Sequence, residues 1–286
     1  MIAITAGTGN LGQAIVERLG DCGLIGQVRL TARDPKRLRA AAEEGFQVAK
    51  ADYTDIGSLD QALQGVEVLL LISGTAPNEI RIQQHKSVID AAKRNGVSRI
   101  VYTSFINPST RSRSIWAAIH RETETYLRQS GVKFTIVRNN QYASNLDQFL
   151  LRAQDSGIFA IPGAKGRVAY VSHRDVAAAI CSVLTTAGHD NRIYQLTGAE
   201  ALNGLEIAEI LGGVLGRPVR AMDASPDEFA ASFREAGFPE FMVEGLLSIY
   251  AASGAGEYQS VSPDVGLLTG RRAESMRTYI QRLVWP

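Results

Sequence analysis

The stretch that decides the fold is IAITAGTGNLG, residues 2–12. It opens with a short β-branched segment, and a helical pattern begins near Asn10. Between the two lies the motif G-x-G-x-x-G, formed by three glycines, Gly7, Gly9 and Gly12. In such a motif the first glycine permits a tight turn and the second lets a phosphate approach the backbone. The third lets the helix pack closely on the strand.

A turn of this kind at the start of a helix is suited to binding phosphate. Unpaired amide groups and the positive end of the helix dipole face the anion. Because the turn follows the first strand and opens the first helix of a βαβ unit, the motif predicts a dinucleotide site. The alternative is a tight turn without a ligand. The residues that we assign to this cradle are Gly7, Thr8, Gly9, Asn10, Leu11 and Gly12.

Strand and helix patterns alternate through the first half of the chain. Candidate strands are residues 2–5, 27–32, 46–51, 67–73, 98–104 and 133–138. Candidate helices are residues 10–20, 36–44, 58–64, 79–95 and 113–130. This alternation predicts an α/β fold with a Rossmann-type, doubly wound parallel sheet.

The pattern changes after residue 140. Helices are predicted at residues 143–155, 203–215, 225–236 and 239–253, and residues 157–166 are rich in turn formers. We therefore assign residues 1–156 to an NAD(P)-binding domain, with a strand at 193–197 that returns to its sheet. Residues 157–286 are expected to form mainly a small C-terminal substrate-binding subdomain.

Composition narrows the classes of function. The formal net charge is +1, which argues against nucleic acid or a membrane surface as a partner. Two cysteines, Cys22 and Cys181, give neither a disulfide framework nor a metal-ligand spacing. The N-terminus does not resemble a signal peptide, and the longest apolar run, residues 68–72, is too short to span a bilayer. We expect a cytoplasmic monomer or homodimer.

The tip of the second strand bears on the choice between NADP and NAD. Arg33 follows the strand, and a guanidinium there accommodates a 2′-phosphate. This residue favours NADPH as the cofactor and makes NAD less favoured. Two alternatives stay open: Asp34 as the acidic residue of an NAD site, and Arg33 as a solvated charge at a helix start. Asp34 is better explained as a cap before Pro35.

Two further strand ends supply candidate cofactor contacts. Asp52 and Tyr53 end the third strand, where the fold places the adenine, but a turn aspartate is an equal alternative for Asp52. Ser73 and Gly74 end the fourth strand beside the expected cofactor, where small residues leave room.

Several segments together carry a family resemblance. They are Thr8-Gly9-Asn10-Leu11-Gly12, Ala51-Asp52-Tyr53, Leu70-Leu71-Ile72-Ser73, Tyr102-Thr103-Ser104 and Arg138-Asn139. In this order they resemble the NmrA-like atypical short-chain dehydrogenases/reductases. Within that group the likeness is greatest to the bacterial type 2 NADPH:quinone oxidoreductases and the triphenylmethane reductases.

The resemblance implies NADP(H) as cofactor and quinones, dyes or related aromatic compounds as substrates. It also places Ser104 beside the nicotinamide. The family turn usually reads Thr-Gly-Ala-Thr-Gly-x-Leu-Gly, whereas this chain has Ala6-Gly7 in place of Gly-Ala. That departure bears on the path of the loop and not on its role.

The usual catalytic pair of short-chain dehydrogenases is missing. Where Tyr-x-x-x-Lys is expected, this chain has Trp116 and His120. His120 is a candidate contact to the nicotinamide ribose or a proton source; the alternative is a histidine on the helix surface. Asn139 follows the sixth strand and is a candidate contact to the nicotinamide or a loop-holding residue. Tyr142 is a candidate wall for an aromatic acceptor.

The sequence therefore favours an NADPH-dependent reductase of a quinone-like or other aromatic acceptor. Hydride transfer to an electron-poor ring needs little acid help, because the resulting phenolate takes a proton from water. The alternative is a non-catalytic NADP(H)-sensing regulator of the NmrA type. A nucleotide-sugar epimerase or dehydratase is a third interpretation, but its chemistry relies on the missing tyrosine.

Overall fold

The computed structural model describes residues 1–285 and contains two β-sheets in that part of the chain. The strands are β1 (Ile2–Ile4), β2 (Val28–Ala32), β3 (Gln47–Lys50), β4 (Val68–Leu71), β5 (Arg99–Phe105), β6 (Lys133–Asn139), β7 (Ile158–Ile161), β8 (Arg192–Leu196) and β9 (Arg220–Asp223). Short 3₁₀ turns lie at Ile25–Gln27, Pro35–Leu38 and Ala143–Leu146.

Twelve α-helices accompany these strands within residues 1–285. They are α1 (Asn10–Asp21), α2 (Arg39–Glu43), α3 (Ile56–Leu63), α4 (Asn78–Arg94), α5 (Ala117–Gln129), α6 (Asp147–Ser156), α7 (His173–Thr185), α8 (Gly204–Leu215), α9 (Pro226–Glu235), α10 (Glu240–Gly254), α11 (Asp264–Thr269) and α12 (Met276–Val284). No helix in the described part of the chain has the length and apolar character needed to cross a membrane.

The larger sheet has seven strands in the order β3-β2-β1-β4-β5-β6-β8. β1 pairs in parallel with β2 on one side and with β4 on the other, so Ile4 lies opposite both Leu30 and Leu70. The chain runs outward from β1 to β3 and then returns to β4. Ligands of open α/β sheets bind at the carboxyl ends of the strands beside such a switch point. This sheet confirms the predicted Rossmann-type fold class.

Burial explains why these segments are strands. Ile4, Leu30, Leu70 and Val101 are fully buried, as apolar residues of a sheet covered on both faces should be. The apolar runs that predicted the strands therefore form the core of the sheet.

The described chain divides into two compact units. Unit 1 consists of residues 1–105, 119–138 and 176–194, and unit 2 consists of residues 106–118, 139–175 and 195–286. The predicted division between residues 156 and 157 does not coincide with these units. The last residue of the predicted C-terminal subdomain, Pro286, lies outside the described residues.

Unit 2 contains elements that the sequence did not predict. β7 and β9 pair in parallel as a separate two-stranded sheet, with Phe159 opposite Ala221. Residues 157–166 were expected to be turns, and no strand was expected at 220–223. Each strand has only four residues, which is too short for a period-two pattern to stand out.

Candidate functional site

The turn between β1 and α1 is fixed by hydrogen bonds to both neighbouring strands. The Thr5 amide and hydroxyl donate to the Leu70 carbonyl, at 3.0 and 3.1 Å. The Gly7 amide donates to the Thr31 carbonyl of β2 at 3.1 Å. These bonds hold the turn at the carboxyl end of the sheet, beside the switch point.

The left-handed residue of this turn is Ala6, with a φ of 52°. The interpretation that the first glycine, Gly7, supplies the tight turn is therefore wrong. A Cβ built on Gly7 would lie 3.5 Å from Leu38 Cδ2 and 3.6 Å from Leu30 Cβ, which are ordinary contacts. The family's usual turn has a glycine at the place of residue 6, and a glycine can adopt a positive φ without steric cost. The shifted glycine thus leaves an alanine in a conformation that disfavours it.

The other two glycines have different surroundings. A Cβ on Gly12 would lie 2.6 Å from the Ala6 carbonyl oxygen, so α1 begins directly against the turn and no larger residue fits. A Cβ on Gly9 would meet only that same oxygen, at 3.6 Å, and Gly9 is exposed. The position is therefore open for a ligand to approach the backbone.

The N-terminus of α1 has the features of an anion cradle. Gly9 is the N-cap residue and has no side chain that could accept a hydrogen bond from the first turn of the helix. The amides of Asn10, Leu11 and Gly12 thus lack the usual side-chain acceptor. A dinucleotide pyrophosphate fits this cradle, because it supplies the missing acceptors at the positive end of the helix.

At the end of β2, Arg33 and Asp34 are both exposed. The Asp34 carboxylate accepts the Lys36 amide at 3.1 Å and caps the 3₁₀ turn that Pro35 begins. This confirms the interpretation of Asp34 as a cap. Arg33 makes no hydrogen bond or ion pair with the other residues that the structure describes, so its guanidinium is available to a ligand.

The next four candidate cofactor contacts follow the ends of β3 and β4. Asp52 Oδ1 accepts the amide and the hydroxyl of Thr54, at 2.9 and 2.7 Å, and these bonds lower the pKa of Asp52. Asp52 thus forms the turn that was one of its two alternatives. The Tyr53 hydroxyl donates to the Ile72 carbonyl at 3.0 Å, and the Ser73 amide donates to Thr103 Oγ1 at 3.0 Å. Gly74, half-buried, follows directly.

Ser104 of β5 is hydrogen-bonded within a buried cluster of charged side chains. Its hydroxyl donates to Glu124 Oε1 at 2.7 Å, and Arg138 donates to both oxygens of that carboxylate at 2.8 and 2.7 Å. Arg128 adds a fourth bond at 2.9 Å. Glu124 is 3% exposed, so this cluster ties α5 to β5 and β6. Ser104 can offer a ligand only the lone pairs of its oxygen.

His120 is buried, which rules out the alternative of a surface histidine. It is 8% exposed, and its Nδ1 lies 2.8 Å from the hydroxyl of Tyr102. The Phe105 ring packs against the imidazole with its centroid 6.0 Å away. Burial lowers the pKa of His120 well below its ordinary value, so the ring is neutral.

Asn139 and Tyr142 lie together in unit 2. The Asn139 amide donates to the Tyr142 hydroxyl at 3.0 Å, and Tyr142 stacks on His173 with centroids 4.1 Å apart. Burial raises the pKa of Tyr142 to about 12, so the phenol is neutral. Asn139 Oδ1 is buried and has no hydrogen-bond partner among the described residues. This orphaned acceptor is the kind of group that a ligand donor satisfies.

Sequence reasoning did not single out Thr123, His85 or a polar role for Tyr102. All three are fully buried. Tyr102 is hydrogen-bonded to His120, Thr123 is hydrogen-bonded to His85, and the His85 ring packs on Tyr102. The available signal was spacing: His120 and Thr123 are three residues apart on a helix and therefore share a face. Tyr102 lies inside an apolar strand, where the pattern predicts only a core residue.

Comparison with known proteins identifies the family. Residues 1–273 match the model of the NmrA-like family, so the chain belongs to that family and the resemblance is confirmed. Quinone oxidoreductase 2 of Escherichia coli is 36% identical over 280 residues, which cover 96% of this chain and 97% of that protein.

Two solved structures share the whole fold. The NADPH-dependent quinone oxidoreductase of Escherichia coli, complexed with NADPH, has a TM-score of 0.92 at 34% identity and covers 99% of this chain and 100% of its own. The triphenylmethane reductase of Citrobacter sp., complexed with NADP(H), has a TM-score of 0.92 at 31% identity and covers 99% of both chains.

The strained alanine yields a stability prediction. Ala6→Gly should raise the free energy of unfolding by about 0.5–1 kcal/mol, because relief of the left-handed conformation exceeds the added entropy of the unfolded chain. Ala40→Gly, at an exposed helical position of α2, is the matched control and should lower it by about the same amount. Chemical denaturation measures both. Destabilisation by both substitutions would show that Ala6 is not strained.

Proposed function

We propose that the chain is an NADPH-dependent oxidoreductase that transfers hydride to a quinone-like or other aromatic acceptor. The observation that carries the proposal is the uncapped start of α1 beside the exposed Gly9, which is an open cradle for a pyrophosphate. The acceptor class is supported by the similarity to a quinone oxidoreductase and a triphenylmethane reductase over nearly the whole chain.

Arg33 supports NADPH over NADH. It is exposed at the carboxyl end of β2, without an ion-pair partner in the described chain, while Asp34 is used as a cap. A guanidinium matches the geometry of a phosphate and offers nothing comparable to a ribose hydroxyl. The predicted contacts of Asp52, Tyr53, Ser73, Gly74 and Ser104 with the cofactor belong to the same proposal.

The residues around His120 suit a reaction that needs little acid catalysis. Bound NADPH supplies a hydride, and the acceptor oxygen then takes a proton from water, which gives the reduced acceptor and NADP⁺. Trp116 replaces the usual tyrosine acid, and its indole packs so closely on Gly245 that a Cβ there would lie 2.2 Å away. Trp116 therefore has a packing role in unit 2.

His120 is the side chain that we assign to the reacting atoms. A neutral imidazole can donate a hydrogen bond to an oxygen that gains negative charge. Asn139 and Tyr142 are proposed to contact the nicotinamide and the aromatic acceptor. The stacked Tyr142 and His173 rings give unit 2 a flat aromatic surface that supports this assignment.

A cytoplasmic location is part of the proposal. It is supported by the two free cysteines, Cys22 and Cys181, which suit a reducing compartment.

The activity test combines an acceptor panel with one substitution. Wild-type protein should oxidise NADPH when a benzoquinone, a naphthoquinone or a triphenylmethane dye is added, as the loss of the reduced-nicotinamide absorbance shows. His120→Ala should lower kcat about tenfold to a hundredfold and leave the Kd for NADPH unchanged.

His189→Ala is the matched control for that substitution. His189 is also a buried histidine of unit 1, with its Nδ1 2.8 Å from the Tyr194 hydroxyl, so its loss perturbs packing in a similar way. It should leave kcat unchanged. Tight NADPH binding without turnover of any acceptor would reject the enzyme and favour the NADP(H)-sensing regulator.

Cofactor choice is tested at Arg33. Arg33→Ala should weaken NADPH binding about tenfold to a hundredfold, the effect of one charge-assisted contact, and leave NADH binding unchanged. Arg39→Ala removes a nearby exposed arginine that is paired with Glu43 at 2.7 Å and should change neither affinity. Titration of both nucleotides by calorimetry measures the difference. Equal loss for the two nucleotides would contradict the role of Arg33.

The cradle is tested by two glycine substitutions. Gly9→Ala should keep the melting temperature and weaken NADPH binding about tenfold or more, since the new methyl occupies the ligand side of an uncrowded position. Gly12→Ala should lower the melting temperature as well, because its Cβ would lie 2.6 Å from the Ala6 carbonyl oxygen. Unchanged affinity in Gly9→Ala would place the dinucleotide elsewhere.

A further inference from the structure

A chain of buried polar side chains in unit 1 ends at His120. His85 Nδ1 of α4 lies 2.9 Å from the Thr123 hydroxyl of α5. The Tyr102 hydroxyl of β5 lies 2.8 Å from His120 Nδ1. His85, Thr123 and Tyr102 are fully buried, and the His85 ring packs edge-on against Tyr102 with centroids 5.5 Å apart. Polar groups this deep in a core are retained when every hydrogen has a defined acceptor.

The imidazoles of His85 and His120 are both neutral. Burial, reinforced by the charge of Arg81, lowers the pKa of His85 to about 3. Burial likewise lowers the pKa of His120 well below its ordinary value. Each ring therefore carries one N–H, and its hydrogen bonds decide which of the two nitrogens holds the proton.

The relative acidities of the phenol and the imidazole decide which of Tyr102 and His120 donates the hydrogen bond. A phenol O–H is a stronger acid than the N–H of a neutral imidazole, and a bare imidazole nitrogen is a far stronger base than a phenol oxygen. The Tyr102 hydroxyl therefore donates to His120 Nδ1, which must be the bare nitrogen. His120 then carries its proton on Nε2.

The bond between His85 and Thr123 also has a preferred direction. His85 Nε2 is buried without a partner in the described chain, which costs less as a bare nitrogen than as an unpaired N–H. His85 therefore carries its proton on Nδ1 and donates it to the Thr123 hydroxyl.

We propose that the bond from the Tyr102 hydroxyl holds His120 as the tautomer whose N–H is on Nε2, and that His120 presents this N–H to the acceptor. The inference rests on the proposed function for the identity of the ligand. Nε2 has no hydrogen-bond partner among the described residues, and His120 keeps 8% of its surface exposed. Because Nδ1 is bonded to Tyr102, Nε2 is the nitrogen of His120 that can bind a ligand.

The chemical role of this donor follows from its neutrality. An Nε2–H bonds to the acceptor oxygen as negative charge develops there, and it does so without a change in its own charge. His120 touches the substrate in this account, and Tyr102, Thr123 and His85 are positioning residues. Tyr102 is therefore more than the core residue that the sequence indicated.

Nitrogen-15 NMR of the imidazoles tests the chain without any acceptor present. The protein has four histidines, so His85→Asn and His120→Asn samples assign the two signals. At neutral pH, His120 should show a pyridine-type Nδ1 and a pyrrole-type Nε2, and His85 should show the opposite pattern. A pyrrole-type Nδ1 in His120 would overturn the proposal.

Tyr102→Phe tests the consequence for turnover. It keeps the ring and removes the donor, so His120 should become a mixture of tautomers and kcat should fall about tenfold to a hundredfold. The Kd for NADPH should stay the same. Tyr126→Phe is the matched control: Tyr126 lies on α5, as His120 does, and its hydroxyl donates to Asp90 of α4 at 2.8 Å, so its loss should change neither tautomer nor kcat. Unchanged kcat in Tyr102→Phe, with the tautomer lost, would overturn the proposed role.

Thr123 provides a second pair of variants if Tyr102→Phe folds poorly. Thr123→Val should release the His85 tautomer and leave the bond from Tyr102 to His120 in place, whereas Thr123→Ser should keep both tautomers. Loss of the His120 tautomer in Thr123→Ser would contradict the chain. If wild-type protein reduces no acceptor, the proposed function fails, and the spectra still decide whether the chain exists.

Discussion

The start of α1 lies so close to the preceding turn that no side chain fits at Gly12, where a Cβ would be 2.6 Å from the Ala6 carbonyl oxygen. This contact places the first amides of α1 over the carboxyl end of β1, at the point where the sheet changes direction. The open backbone at Gly9 takes its position from this contact, next to β2 and β4, which both pair with β1 and lead to Arg33 and Ser73. The proposed cofactor site depends on this one close approach.

Most of the sheet could be predicted from the sequence because its strands are buried and apolar. The predicted strand at residues 67–73 contains β4, and the one at residues 98–104 contains all of β5 except Phe105. The alternation with helices gives a parallel sheet. The exact conformation of the glycine turn could not be predicted. A motif gives the spacing of glycines, but only the fold shows that Ala6 takes the left-handed conformation while Gly7 does not.

The two-stranded sheet and the buried polar residues next to His120 could not be predicted from the sequence, for other reasons. β7 and β9 pair across about sixty residues, and each is too short to show a period. Tyr102 and Ser104 are two residues apart on β5 and therefore share a face of the sheet. His120 and Glu124 are four residues apart on α5 and therefore share a face of the helix. The sequence shows both spacings, but whether the two faces come together depends on how α5 packs on β5.

The proposed site combines a cradle for the cofactor with a neutral imidazole for the acceptor. The most direct test is a single turnover of protein loaded with one equivalent of NADPH and mixed with a benzoquinone. We predict that the bound reduced nicotinamide decays in step with formation of the hydroquinone, and that deuterium on the transferred position of the nicotinamide slows this decay. Intact NADPH binding with no decay of the reduced nicotinamide would contradict the account.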